Sequence, residues 1–226
     1  FVGDYTLSVK GSMEALGKRK APIHFTSSNR GQGWGGIRFF PESADAPPSI
    51  LDYCTIENAT ASGGLTPLDN SGGGIAISSN DNVTISHCTV RNCSASGGVG
   101  IDFSVGGGIY VEYCSPTLMY NYVQDNEAEN YGGGIALYHA SPVIHHNVIT
   151  GNKAVEYGGG GIAMNGDCNP VMVSNTIADN TAMSGGGIYC IYDSDPLLKN
   201  TILWGNEATW GNQVFIPHID CDPDFY

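Results

Sequence analysis

Short apolar stretches alternate with polar positions along this chain, and they return in phase. After each Gly-Gly-Gly run an isoleucine opens a new alternation: Ile75, Ile109, Ile135, Ile162 and Ile188, with degenerate copies at Gly35-Gly36-Ile37 and Gly211-Asn212-Gln213-Val214. From Ile37 to Val214 the steps are 38, 34, 26, 27, 26 and 26 residues. A second motif keeps the same phase. Leu118-Asn121-Val123-Asn126 returns as Ile144-Asn147-Ile149-Asn152 and as Met172-Asn175-Ile177-Asn180. Leu197-Asn200-Ile202-Asn206 reads as the same motif with one extra residue. Earlier, Ile85-Cys88-Val90-Asn92 and Leu51-Cys54-Ile56-Asn58 put Cys where the first Asn later stands.

Alternation broken by Gly and Asn predicts short strands and tight bends, not helices. A fixed period in the twenties predicts stacked coils, each burying its apolar residues against the next because one coil alone has no core. The expected fold is an all-β solenoid of roughly 7–9 coils. An inward Asn at each bend can satisfy backbone groups that the bend strands. Coils ~4.8 Å apart bring like residues against like.

Residues 50–216 resemble the right-handed parallel β-helix, or pectate-lyase-like, superfamily. The resemblance implies that the paired Asn columns are internal ladders. Gly-Gly-Gly-Ile with Asn152-Lys153-Ala154 and Asn206-Glu207-Ala208 is also similar to the GGAI and FxxN repeats of bacterial polymorphic outer-membrane proteins, which are adhesins and autotransporters. Here no Phe precedes the Asn. The segments Gly11 to Gly17, Pro22 to Ser27 and Trp34 to Ile37 resemble the first coils of exported bacterial β-helix proteins. The expected layout is a single domain over 1–226. Lead-in coils span 1–40, longer coils with loop insertions 41–108 and regular coils 109–216, and residues 217–226 start a further coil.

Glycine supplies 32 of 226 residues, which in a compact repeat means bends rather than disorder. The net charge of −13 argues against nucleic acid, anionic membranes and anionic polymers. No stretch is long and apolar enough to span a membrane as a helix. The chain reads as a piece of a larger exported protein, and the resemblance makes its setting secreted or cell-surface, in bacteria. The seven Cys are expected as buried free thiols, since an odd number cannot all pair and no CxxC occurs. The sequons at Asn58, Asn82 and Asn92 carry little weight, because Asn58 and Asn92 are expected to face inward.

On the strand after each Gly-Gly-Gly, alternation points Arg38, Phe40, Tyr110, Glu112, Ala136, Tyr138, Ala163, Asn165 and Tyr189 outward. With His139 beyond the strand end, Tyr110, Glu112, Tyr138, His139, Asn165 and Tyr189 form a candidate face for stacking on sugar rings, with Ala136 and Ala163 leaving gaps. The partner this face suits is a polysaccharide or a host or cell-surface glycan; further coils or domains of the same parent chain are the other expected partners. A second outward column reads Tyr53, His87, Tyr120, His146, Ser174 and Lys199. Its His87 and His146 lie two coils apart, ~10 Å, too far to share an ion, and His145 and His146 are expected on opposite faces. Asp220, Asp222 and Asp224 alternate in a spacing that can wrap Ca²⁺, against a default of a solvated acidic tail; no other cofactor is expected.

Lyases of the superfamily use a basic residue beside acidic Ca²⁺ ligands. Here the repeat's basic residues lie near the Asn bends, away from the acidic strand ends. Asp167, Asp193 and Asp195 lie on neighbouring coils and are the best hydrolytic constellation, as glycosidase carboxylates stand ~5–9 Å apart. They lack the family motif and sit in turns where Asp is ordinary. The reading is therefore a non-catalytic adhesion stalk or glycan-contacting surface, with a polysaccharide-degrading enzyme as the alternative.

Overall fold

The period of the sequence becomes a stack of coils in a computed structural model that describes residues 5–27, 33–43, 46–64, 66–98, 105–218 and 220–226. One regular coil contains four short strands: Ile135–Tyr138, Val143–His145, Val148–Thr150 and Lys153–Ala154. Each pairs in parallel with its counterparts in the coils before and after, giving four sheets of eight, eight, seven and six strands. The first sheet runs from Leu7–Val9 to Val214–Phe215 and the second from Glu14–Leu16 to Asp224–Phe225, so eight coils are described. The tail completes the second sheet of the eighth coil, Asp224 pairing with Leu197, instead of starting another coil.

Strand follows strand through single-residue bends with left-handed backbone. Tyr53, His87, Tyr120, His146, Ser174 and Asn200 turn the chain between the second and third sheets, with φ between 49° and 58°. Asn58, Asn92, Asp125 and Asp179 do the same between the third and fourth. Asn and Asp tolerate this conformation better than other non-glycine residues. The Gly-Gly-Gly run serves two needs. Gly132 takes φ 65°. Gly133 passes so close to the strand of the fourth sheet in the next coil that a Cβ would lie 2.4 Å from the Lys153 backbone.

The residue after each left-handed bend points into the tube and forms the ladders. The first ladder column holds Asn121, Asn147 and Asn175: Asn121 N–H donates to Asn147 Oδ1 at 2.9 Å, and Asn147 N–H to Asn175 Oδ1 at 2.9 Å. The second holds Asn126, Asn152, Asn180 and Asn206, linked at 3.1, 2.9 and 3.0 Å in the same way. Cys88 and Cys93 occupy these columns one coil earlier, donating from their backbone N–H groups to Asn121 and Asn126. Asn58, Asn92 and Asn200, expected inside, are bend residues instead. Strand register sets Leu198 opposite Met172 and Leu203 opposite Ile177, so Thr201 takes the ladder position without any inserted residue. It also gives the outer bend column Asn200 where Lys199 was expected.

Ile75, Ile109, Ile135, Ile162 and Ile188 stack in the core, each at most 1 % exposed. All seven cysteines are free and buried. The outer face of the first sheet differs from expectation. Alternation does point Arg38, Ala76, Tyr110, Ala136 and Ala163 outward, yet each is at most 4 % exposed. The chain folds back over them. Leu68 from the insertion after the second coil, Val105 and Tyr131 pack on Tyr110 and Ala136 as a second, smaller apolar cluster. Tyr131 stacks on Tyr157 at 4.9 Å and on Tyr189 at 5.6 Å, filling the gap over Ala136 and Ala163 with the protein's own ring.

Candidate functional site

The covered face removes Tyr110 as a candidate and leaves Tyr138, His139 and Asn165 at its rim. Tyr110 is 2 % exposed and donates from its hydroxyl to Glu112 Oε2 at 2.9 Å. Burial, then the nearby Glu112 carboxylate, pushes its phenol well above the usual range. It is a core residue of the small cluster and has no surface for a ligand. Tyr189 is half-buried between Tyr131 and Phe215, its phenol also raised by burial. The hollow left between Tyr131, Ala136, Ala163 and Asn165 measures about 20 Å³, room for roughly one water. A sugar ring does not fit there.

Tyr138, His139 and Asn165 lie together where the strands of the first sheet end. The bend residues that follow these strands form a column of Ser79, Tyr113, His139 and Gly166, fixed by the pairing of Ser78, Glu112, Tyr138 and Asn165. Tyr113 and His139 stack at 5.5 Å and 5°. Tyr138 meets both edge-on, at 5.4 and 4.6 Å. His139 rests on the bare Gly166, where a Cβ would come within 2.6 Å of the imidazole. Asp167 Oδ2 lies 3.6 Å from His139 Nδ1. Tyr113 is 57 % exposed, and strand register places the small Ser79 at the matching position of the coil before. The ring is thus largely exposed, with a carboxylate, an imidazole and an amide alongside. The composition suits a sugar's C–H face and hydroxyls. Sequence reasoning missed Tyr113; its signal was its place one residue past the strand, in phase with His139.

The acids of the hydrolytic alternative turn to different partners. Asp167 faces His139. Asp195 Oδ1 accepts the backbone N–H of Asp222, bracing the tail, while its own N–H donates to Asn169 Oδ1 at 3.0 Å. Asp193 is an exposed bend residue with φ 55°. Asp220, Asp222 and Asp224 are exposed, and Asp224 lies in a strand of the second sheet. Among the described residues no three His, Cys, Asp or Glu side chains gather as metal ligands.

The second outward column forms a pile of rings. Tyr53, His87, Tyr120 and His146 stack in succession at 4.5, 5.1 and 4.8 Å. Tyr120 thus separates the two imidazoles. Asp52 Oδ1 binds His87 Nδ1 at 2.9 Å. His145 and His146 share one side, their Nδ1 atoms 3.0 Å apart, because His146 is itself the bend. Burial and the neighbouring His146 lower the pKa of His145. These ring faces cover one another, so they present edges to solvent, unlike Tyr113.

Four parallel sheets wound around paired Asn ladders define a parallel β-solenoid. The family described as the right handed beta helix region matches residues 24–158, more than half of the chain, and the protein belongs to it. Comparison with curated proteins and with solved structures returned no match.

Proposed function

We propose that this chain is a non-catalytic β-helix segment of an exported cell-surface protein, serving as a stalk that contacts neutral glycans at the rim formed by Tyr113, Tyr138, His139, Asn165 and Asp167. The observation that carries this reading is the Tyr113 ring, 57 % exposed and backed on one face by the His139 stack. A rigid ring held in register by strand pairing on both sides binds without ordering cost. Asp167 and the net charge of −13 favour neutral over anionic glycans. The single ring and flat surround bury little area, so affinity is about millimolar.

The test is an NMR titration of the chain with a panel of neutral oligosaccharides. At least one should shift the Tyr113 and His139 resonances saturably. Tyr113→Ala should abolish that binding, while Tyr110→Phe, inside the small cluster, should leave it intact. Equal binding by wild type and Tyr113→Ala removes this rim as the site.

A further inference from the structure

A separate feature lies at the other end of the covered face. Arg38 projects from the strand Ile37–Phe39 between Ser8 and Ala76, and is 4 % exposed. Its Nη1 donates to Gly72 O at 2.7 Å and to Ile37 O at 3.2 Å. A guanidinium carries five N–H donors; these two bonds use two, and the remaining three, on Nε and Nη2, meet no acceptor among the described residues. Those nitrogens are not sealed from water, since the one buried side-chain polar atom found without a partner among the described residues is Asn80 Nδ2. Arg38 lines a groove of about 570 Å³ together with Thr6, Ser8, Ser62, Gly63 and Thr66. That edge is open to water rather than held by the protein, and among the described residues no carboxylate closes it. Asp69, on the groove's rim, is outside salt-bridge distance of Arg38 and gives its Oδ2 to Thr66, accepting from the backbone N–H at 3.1 Å and the hydroxyl at 2.7 Å.

We infer that this groove is a binding site for a small hydroxylated monocarboxylate, whose two oxygens pair with the free Nε–Nη2 edge of Arg38. A planar guanidinium edge matches a carboxylate in a bidentate pair. The hydroxyls of Thr6, Ser8, Ser62 and Thr66 surround the place the rest of such a ligand occupies. Asp69 and the net charge of −13 oppose a dianion more than a monoanion. Burial lowers the Arg38 pKa to about 10, with Asp69 acting in the opposite sense, so the group stays charged at neutral pH.

The experiment uses lactate as the probe, with sulfate as the dianion comparison, and follows the Arg38 Nε–H resonance by ¹⁵N NMR. Lactate should shift it saturably, and sulfate at equal concentration should bind at least tenfold more weakly. Arg38→Gln should abolish lactate binding. Because that variant also loses the bond to Gly72, Ser62→Trp provides the second arm: it keeps Arg38 and fills the groove from an exposed position, so it should block lactate with an unchanged circular dichroism spectrum. Absence of a saturable shift in the wild type, or lactate binding by Ser62→Trp equal to wild type, overturns the site. Sulfate binding as tightly as lactate overturns the carboxylate assignment.

Discussion

The side-chain amide of Asn147 joins three successive coils. Its Oδ1 accepts from Asn121 N–H, and its Nδ2 lies within bonding distance of Leu118 O, His145 O and Asn175 Oδ1, at 2.9, 3.2 and 3.1 Å. Replacing it with Ala strands these partners in the core, at about 1–3 kcal/mol for a buried unsatisfied group. Asn147→Ala should therefore lower the melting temperature by several degrees, at about 2–4 °C per kcal/mol for a chain of this size. Thr176→Ala, beside it on the outer side of the third sheet, should shift it by less than about 1 °C. Equal shifts in calorimetry would show that the ladder carries no special stability. The ladder was legible in the sequence where Asn stands alone, as at Asn121, Asn147 and Asn175. It was misread where an Asn adjoins the column, at Asn58, Asn92 and Asn200, because the same residue type also suits a left-handed bend. The apolar spacing decides such cases. Leu198, Thr201, Leu203 and Asn206 repeat the intervals of Leu118, Asn121, Val123 and Asn126.

The Gly-Gly-Gly segment is the element whose replacement the stack tolerates least. Its middle glycine faces the fourth-sheet strand of the next coil, and the added Cβ of Gly133→Ala meets backbone, which cannot rotate away. This change should cost about 3 kcal/mol or more, read as a lower urea midpoint. Gly11→Ala, where a Cβ meets nothing within 4 Å, should be near neutral. Strand alternation gave the inside and outside of the tube correctly for Ile135 and Ala136. It could not reveal what lies across the outside. Leu68 reaches the first sheet from an insertion that has no period, while Val105 and Tyr131 stand in register just before successive Gly-Gly-Gly runs, a position that strand alternation does not cover, so the burial of Tyr110 was not read from it. The rim residues Tyr138, His139 and Asn165 were found because they end strands. Tyr113 was passed over because it belongs to the bend.

Over the whole molecule, the long core keeps most thiols neutral, Cys54 being the exception, its pKa lowered by the hydrogen bond with Cys88. Burial pushes Cys93 up to about 12 and Cys114 up to about 11, from 9.0. A thiol raised in this way holds its proton in the folded state after the unfolded chain has lost it. Its contribution to stability is complete below pH 9 and fades as pH rises toward 11 to 12. The melting temperature should fall across that window, and less so in a Cys93→Ala variant relative to its own value at pH 8; parallel pH profiles would exclude the thiol as a cause. The parallel pairing of every coil to the next has a mechanical consequence. In such sheets the backbone hydrogen bonds run along the axis of the stack, so pulling on the two ends loads them in tension, one layer after another. Each regular coil holds about 26 residues, and releasing it frees roughly 86 Å of chain, ~3.5 Å per residue less the ~4.8 Å layer it vacates. Under an optical trap the protein should lengthen in a staircase of that step, a spring that yields by the turn.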